Sequence, residues 1–434
     1  MNYYSTNRQV QPVDLPEAVI KGLPADKGLF MPETIRPLPN LFFERLPGMS
    51  FREIAGEVAL AFFGEDIDAA TLQHIVDETL NFETPVVRVK DNIYSLELFH
   101  GPTLAFKDVG ARFMARLLAY FVRKQDGDNI NVLVATSGDT GSAVANGFLG
   151  VAGIHVYVLY PKGKVSAIQE CQFTTLRQNI TALEIDGTFD DCQALVKAAF
   201  LDNDLNGRMK LTSANSINVA RFLPQAFYYF NAYAQLLRRG AASEVVVCVP
   251  SGNFGNLTAG LIAREMGLPV KRFIAANNRN DVFLQYLQTG VYTPRPSVQT
   301  LANAMDVGDP SNFVRILDLY RHDHEAITRL ISGFSCSDDL VRETVAACYR
   351  ETGYLLDPHG ACAYQALSES LQPSETGVFL ETAHPAKFRE TIESILHEPV
   401  EIPAKLQTFM QGTKETVELS NDFAGFKAFL FRQN

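Results

Sequence analysis

No apolar run in this 434-residue chain approaches the roughly 20 residues that a membrane-spanning helix needs, so a helical membrane protein is excluded. Positive charge is scarce. Lys and Arg number 38 against 49 Asp and Glu, a net charge of −11, whereas a nucleic-acid surface requires basic residues in excess. The opening "MNYYSTNRQV" has neither an apolar core segment nor a cleavage site, so no secretion signal is expected. Six cysteines (Cys171, Cys192, Cys248, Cys336, Cys348 and Cys362) include no CxxC pair. Several sit in apolar runs such as "EVVVCVP" and read as buried thiols of a reducing compartment, which points to the cytoplasm. His322 and His324 in "RHDHE" come nearest to a metal pair, but helical spacing puts them on different faces with no third ligand near. A solvated helix face accounts for them, and no metal is expected. Repeats and low-complexity segments are absent too.

What is present fits an ordinary globular protein: 47% apolar and 20% charged residues, in a chain long enough for two or more lobes. Residues 1–90 mix polar helix-like stretches with Pro-rich connectors such as "PETIRPLPN" and read as a preliminary lobe. From about residue 90, short β-rich runs alternate with helical stretches. "INVLVA", "IHVYVLYP", "ITALEIDG" and "EVVVCVP" each precede ten or so helix-forming residues, and "VKRFIAA" and "GVFLET" close the series. Strands apolar throughout, each followed by a helix, predict parallel sheets covered on both faces. The fold class is α/β. The expected division is 1–90, a region 91–390 with a smaller lobe at roughly 110–230 inserted, and a terminal segment 391–434.

In parallel sheets, ligands bind beyond the carboxyl ends of strands, where loops meet helix N-termini. Three such loops stand out. "ATSGDTGSA" sets Ser137, Gly138, Asp139, Thr140 and Gly141 at a positive helix end suited to a carboxylate. "PSGNFGNLTAG" offers Gly252, Asn253, Phe254, Gly255 and Asn256 as a phosphate cradle of backbone amides. Its spacing is neither GxGxxG nor GxxxxGK[ST], which disfavours a dinucleotide or a nucleoside triphosphate, and strand–Gly–helix turns also serve packing alone. "FLETAHPAKF" places Thr382 at a strand exit; locally it reads as a helix N-cap with Pro385 in the first turn. Lys107, in "HGPTLAFKDVGARF", opens a predicted helix behind Leu104 and Phe106. A helix N-terminus and apolar neighbours both disfavour the ammonium form. A phosphate cradle, a carboxylate loop and a neutral hydroxyl, together with one such lysine, are the parts of a pyridoxal phosphate enzyme.

"HGPTLAFKD", "ATSGDTG", "YPKGKVS", "NSINVAR", "VPSGNFGNLTAG" and "ETAHPAKF" together resemble threonine synthases of the longer bacterial and fungal type, over nearly the whole chain. The resemblance implies the tryptophan synthase β-like fold type II, with two parallel-sheet lobes and an additional N-terminal lobe. It implies that Lys107 holds pyridoxal 5'-phosphate as a Schiff base and moves the protons. Residues 252–256 would hold the cofactor phosphate, Thr382 would face the pyridine nitrogen, and Asp139 would lie near the ring oxygen. Thr136, Ser137, Gly138, Thr140 and Gly141 would take the substrate carboxylate. The implied substrate is O-phospho-L-homoserine, converted with water to L-threonine and phosphate. For its phosphate, "TSANSINVARFLPQ" offers Ser213, Asn215, Ser216, Asn218 and Arg221, equally readable as a helix-cap region with a surface arginine. Lys162 and Lys164 are lesser candidates. "LDPHGACAYQAL" also matches the family and is given no catalytic role. The competing functions are a threonine dehydratase or phospholyase of the same fold and a non-catalytic ligand-binding relative. A monomer or small homo-oligomer is expected, with no nucleic-acid or membrane partner.

Overall fold

A computed structural model of the chain describes residues 1–124 and 129–433. Two compact units emerge. The first comprises Met1, Met31–Phe106 and Phe222–Glu401; the second comprises Asn2–Phe30, Lys107–Arg221 and Ile402–Asn434. The two middle boundaries fall at Phe106/Lys107 and Arg221/Phe222, so two of the candidate site residues open and close one segment of the second unit.

The first unit is built on a six-stranded sheet. Its order across the sheet is Ile331–Ser335, Arg272–Asn277, Val245–Pro250, Thr376–Glu381, Ile93–Glu97 and Val86–Lys90. Every neighbouring pair is parallel except the last, which is antiparallel. Val245–Pro250 and Thr376–Glu381 are buried along their whole length. That is why they read as unbroken apolar runs rather than as alternating ones. Cys248, Cys336, Cys348 and Cys362 lie in the core on this sheet beside Ile274, Leu356 and Phe379. All six cysteines are free thiols and five are buried, as their apolar settings suggested.

The second unit carries five parallel strands in the order Val417–Ser420, Ile180–Asp186, Ile154–Pro161, Ile130–Ala135 and Lys210–Ser213. Residues 1–90 are shared between the units. The helix Leu15–Lys21 belongs to the second, where the side chains of Thr212 and Asn218 donate to the Val19 carbonyl at 3.3 and 2.9 Å. Leu38 N–H donates to Met266 O in the first. The C-terminal segment extends the second sheet at its edge, and Lys414 reaches Glu170 and Glu184 at 2.6 and 2.8 Å. No described helix is long and apolar enough to cross a membrane.

Helix Lys107–Lys124 forms because its ends match the dipole, with Asp108 in the first turn and Arg123 and Lys124 in the last. Its buried face uses small residues for close approach. Gly147 of helix Asp139–Phe148 lies against Ala111, where a Cβ would come within 3.0 Å of the Ala111 carbonyl carbon. A Cβ on Gly110 would collide with the Arg221 carbonyl oxygen. Gly110→Ala should therefore cost about 1–3 kcal/mol through overpacking, read as a lowered urea midpoint. A midpoint at or above that of the wild type would mean that the helix is not pinned there.

Candidate functional site

Leu104 and Phe254 share an unusual backbone. Among the described residues, ten non-glycine positions have positive φ, and these two alone are apolar. Both are buried, at 4% and 3% exposure, so solvent offers them nothing in return for the left-handed conformation. Such strain costs of order 1–3 kcal/mol and persists only where the surroundings over-determine it. Each residue stands at one of the loops singled out above.

Around Leu104 the backbone is tied down at every step. Leu104 O accepts from His384 N–H at 3.1 Å, and Phe106 N–H donates to Thr382 O at 2.8 Å. The Tyr228 hydroxyl donates to Phe106 O, and buried Lys387 Nζ donates to Thr103 O at 2.8 Å. The segment before Lys107 is thus clamped on the loop after strand Thr376–Glu381. Lys107 is the next residue, half-buried, and begins its helix as the sequence predicted. Thr382 is 7% exposed. It does not cap the following turn: His384 does, accepting from Ala386 N–H on Nδ1 at 3.1 Å.

Phe254 precedes helix Gly255–Glu265, whose first turn receives no side-chain cap. Its early N–H groups therefore keep their need for an acceptor. Phe254 itself packs on Phe283, with ring centroids 4.6 Å apart. Asn256 is 6% exposed. Its Oδ1 accepts from the Tyr229 hydroxyl at 2.8 Å, while its Nδ2 is buried and has no partner. Burial pushes the Tyr229 phenol well up, which keeps it a donor. Asn253 turns elsewhere, accepting on Oδ1 from Ser311 N–H and Oγ at 3.4 and 3.3 Å. Gly252 allows a close approach: a Cβ there would stand 2.9 Å from both Ala304 O and Met305 Cα.

In the second unit, Gly138 turns the chain with φ 143° into helix Asp139–Phe148. The amides expected to face an anion are partly spent. Gly138 N–H and Gly141 N–H donate to Thr136 Oγ1 at 2.9 and 2.8 Å, and Thr136 is fully buried. Thr136, Gly138 and Gly141 thus build the turn, and the half-buried Ser137 and Thr140 are its more exposed hydroxyl residues. Gln169 Nε2 donates to Asp139 Oδ1 at 2.9 Å, and its Oε1 accepts from Ser166 Oγ at 3.0 Å, which fixes the carboxylate's orientation.

The 213–221 segment is likewise split. Asn218 Nδ2 donates to Val19 O and Ser213 O, and Asn218 Oδ1 accepts from Ala220 N–H at 3.0 Å. This fully buried side chain is a scaffold rather than a ligand, because its donors and acceptor are taken. Ser213 Oγ accepts from Asn215 N–H at 3.3 Å, and Asn215 Nδ2 donates to Ala135 O at 3.4 Å. Ser216, the next residue, is half-buried. Arg221 is not a surface residue, being 2% exposed. Lys162 is one: it is exposed and paired with Glu418 at 2.8 Å, and Lys164 is exposed as well. His324 donates to backbone carbonyls of 286 and 287, and the described residues hold no metal-binding cluster.

The polar groups around the neighbours of Thr382 are not legible in the sequence. Asp357, His359 and Glu381 are buried together, and Lys387 is buried as well. Neither "LDPHGA" nor "HPAKF" reveals this locally, because the partners of Asp357, His359 and Lys387 lie far away in sequence.

The chain matches the family of pyridoxal-phosphate dependent enzymes over residues 78–382, the threonine synthase N terminus over 2–80 and the threonine synthase C-terminal region over 360–430. It is 47% identical over 432 residues to the threonine synthase of Haemophilus influenzae, covering 100% of both chains. The crystal structure of Escherichia coli threonine synthase is similar at 41% identity and TM-score 0.94, with 100% of each chain covered. A pyridoxal-phosphate-bound threonine synthase from Brucella melitensis is similar at 33% identity and TM-score 0.92, covering 100% of this chain and 99% of that one.

Burial, and then the neighbouring His100, push the His384 imidazole down to about 4. A base with a depressed folded pKa contributes stability that is present above its unfolded value, near 6.5, and is lost as pH falls toward 4. Wild-type stability should therefore fall more steeply between pH 6.5 and 4 than that of His384→Asn, by on the order of 2 kcal/mol. Urea midpoints across that range check it; parallel curves would contradict the shift.

Proposed function

This chain belongs to the threonine synthase family of pyridoxal-phosphate-dependent enzymes, and from that membership we propose its substrate and its site residues. The substrate is O-phospho-L-homoserine. The C–O bond at Cγ breaks to release phosphate, Cβ gives up one hydrogen while Cγ gains one, and water adds its hydroxyl to Cβ, its remaining proton leaving with the phosphate, to give L-threonine. The reaction runs in the cytoplasm, a compartment that six free thiols suit.

Pyridoxal phosphate, when bound, supplies the electron sink that makes hydrogen at Cα acidic. One observation in this chain supports its fit: the buried, unpartnered Nδ2 of Asn256 at an uncapped helix start, a donor set suited to a phosphate. Asn256, with the backbone of Gly252–Gly255, holds that phosphate. The Thr382 hydroxyl would serve the ring nitrogen and, being neutral, would not favour its protonation. Lys107 holds the cofactor and moves protons at Cα and Cβ of the substrate, which requires an amine whose pKa lies near the working pH. The observation that carries this role is the clamp on Phe106, which fixes the backbone that presents Lys107. Ser137 and Thr140 would bind the substrate carboxylate, and Asp139, its carboxylate oriented by Gln169, would serve the cofactor's ring oxygen. Arg221, with Asn215 and Ser216, takes the substrate phosphate.

Lys107→Ala should lower phosphate release from O-phospho-L-homoserine by at least about a thousandfold and abolish the visible imine absorption band. Lys107→Arg should not restore it, because a guanidinium does not lose its proton in a protein. Full activity in either variant would overturn the role of Lys107. Arg221→Gln should leave cofactor absorption normal and lower kcat/KM roughly ten- to a hundredfold, with weaker competition by inorganic phosphate. Wild-type kinetics and competition would move the substrate-phosphate site away from Arg221.

A further inference from the structure

The buried polar cluster behind Thr382 lies outside the roles assigned above. Asp357 caps helix Pro358–Ser370, accepting from His359 N–H at 2.6 Å and Gly360 N–H at 3.4 Å. It also reaches both neighbours of Thr382 in the chain. Asp357 Oδ2 accepts from Ala383 N–H at 3.3 Å, and Asp357 N–H donates to Glu381 Oε1 at 2.9 Å. The two carboxyl groups are also within hydrogen-bond reach of each other. Burial, then the charge of Asp357, pushes the Glu381 carboxyl well up. Burial opposes ionisation of Asp357 as well, but His359 and the donors around it hold its carboxyl below the usual range. Glu381 is therefore the protonated partner and donates to the Asp357 carboxylate. Its Oε2 is buried with no other hydrogen-bond partner, in space that only a glycine at 360 leaves open.

The cluster runs on toward the other candidate loop. His359 Nδ1 donates to Asp357 Oδ1 at 2.5 Å, and its Nε2 accepts from Ala304 N–H at 3.2 Å. That pairing requires the tautomer with its proton on Nδ1. Phe388 packs edge-on against the ring at 5.0 Å. Ala304 and Met305 form the wall that Gly252 approaches without a Cβ. One hydrogen-bonded chain thus links Ala383 and Glu381, through Asp357 and His359, to the backbone that backs Gly252.

We propose that Asp357, His359 and Glu381 form a positioning unit that sets the Thr382 hydroxyl and the Gly252–Asn256 turn at the separation that pyridoxal phosphate spans. This rests on the reading that those two loops hold the ring nitrogen and the phosphate. None of the three touches the reacting atoms; each acts through the backbone it fixes. His359→Phe keeps the ring's volume and its packing on Phe388 but strands the Ala304 N–H without an acceptor. Asp357→Asn turns an acceptor into a donor facing Ala383 N–H. Glu381→Gln keeps a neutral donor to Asp357, whereas Glu381→Ala removes it.

The test is titration of each apo-variant with pyridoxal phosphate, followed by steady-state kinetics of the loaded proteins. His359→Phe and Asp357→Asn should each weaken cofactor affinity roughly ten- to a hundredfold and lower kcat. The KM for O-phospho-L-homoserine should stay within about twofold, because the substrate groups are bound elsewhere. Glu381→Gln should keep affinity within about threefold of wild type and Glu381→Ala should not, a contrast that survives if a harsher variant fails to fold. Gly252→Val separates the two claims. Weak binding in Gly252→Val with wild-type binding in His359→Phe and Asp357→Asn overturns the positioning role alone. Wild-type binding in Gly252→Val overturns the cradle on which that role rests. Equal loss in Glu381→Gln and Glu381→Ala would contradict the protonated donor.

Discussion

The site depends on the two backbone groups of Phe106. Its N–H is held by Thr382 O and its carbonyl by the Tyr228 hydroxyl, while Leu104 just before it accepts the cost of positive φ. A lysine side chain carries about 2 kcal/mol of rotamer entropy and reaches its target only from a fixed base. Misplacing a reacting group by about 1 Å can cost a hundredfold in rate. Clamping the residue before Lys107 is the economical way to reduce that error, because a helix begins at Lys107 and fixes the backbone on its other side. Lys387, donating to Thr103 O, stiffens the same segment from within the core.

The buried polar groups divide into those already satisfied and those held ready. Thr136 and Asn218 use their side chains to bond backbone groups of their own unit, so they shape loops. Asn256 Nδ2 and the uncapped helix start beside it are not satisfied from within the protein. An unmade buried hydrogen bond costs about 1–3 kcal/mol, and a bound phosphate would return that energy as affinity. Strain at Phe254 belongs with this arrangement, since its left-handed turn starts the helix that presents those donors.

Much of this was legible in the sequence. The six runs from "INVLVA" to "GVFLET" are strands, because burial on both faces leaves an unbroken apolar signature. The short edge strands Lys210–Ser213, Ile331–Ser335 and Val417–Ser420 were not, being brief or half-exposed. The positions of Lys107 at a helix start and Thr382 at a strand exit follow from local pattern. The partners that decide what a polar residue does are not local. Asn218 finds Val19, 199 residues away in sequence, and Asp357 finds Ala383 and Glu381. Likewise "HPAKF" gives no sign that His384, rather than Thr382, caps the turn, or that Lys387 is buried.

Half-buried Lys107 and buried Lys387 both lie next to residues of this loop system, and the proposed cofactor lysine is Lys107. Reduction of the loaded protein with borohydride, followed by peptide mass mapping, identifies the lysine that carries pyridoxal phosphate. The pyridoxyl mass should appear on the peptide containing Lys107 and on no other. Modification of Lys387, or of any other lysine in place of Lys107, would contradict it.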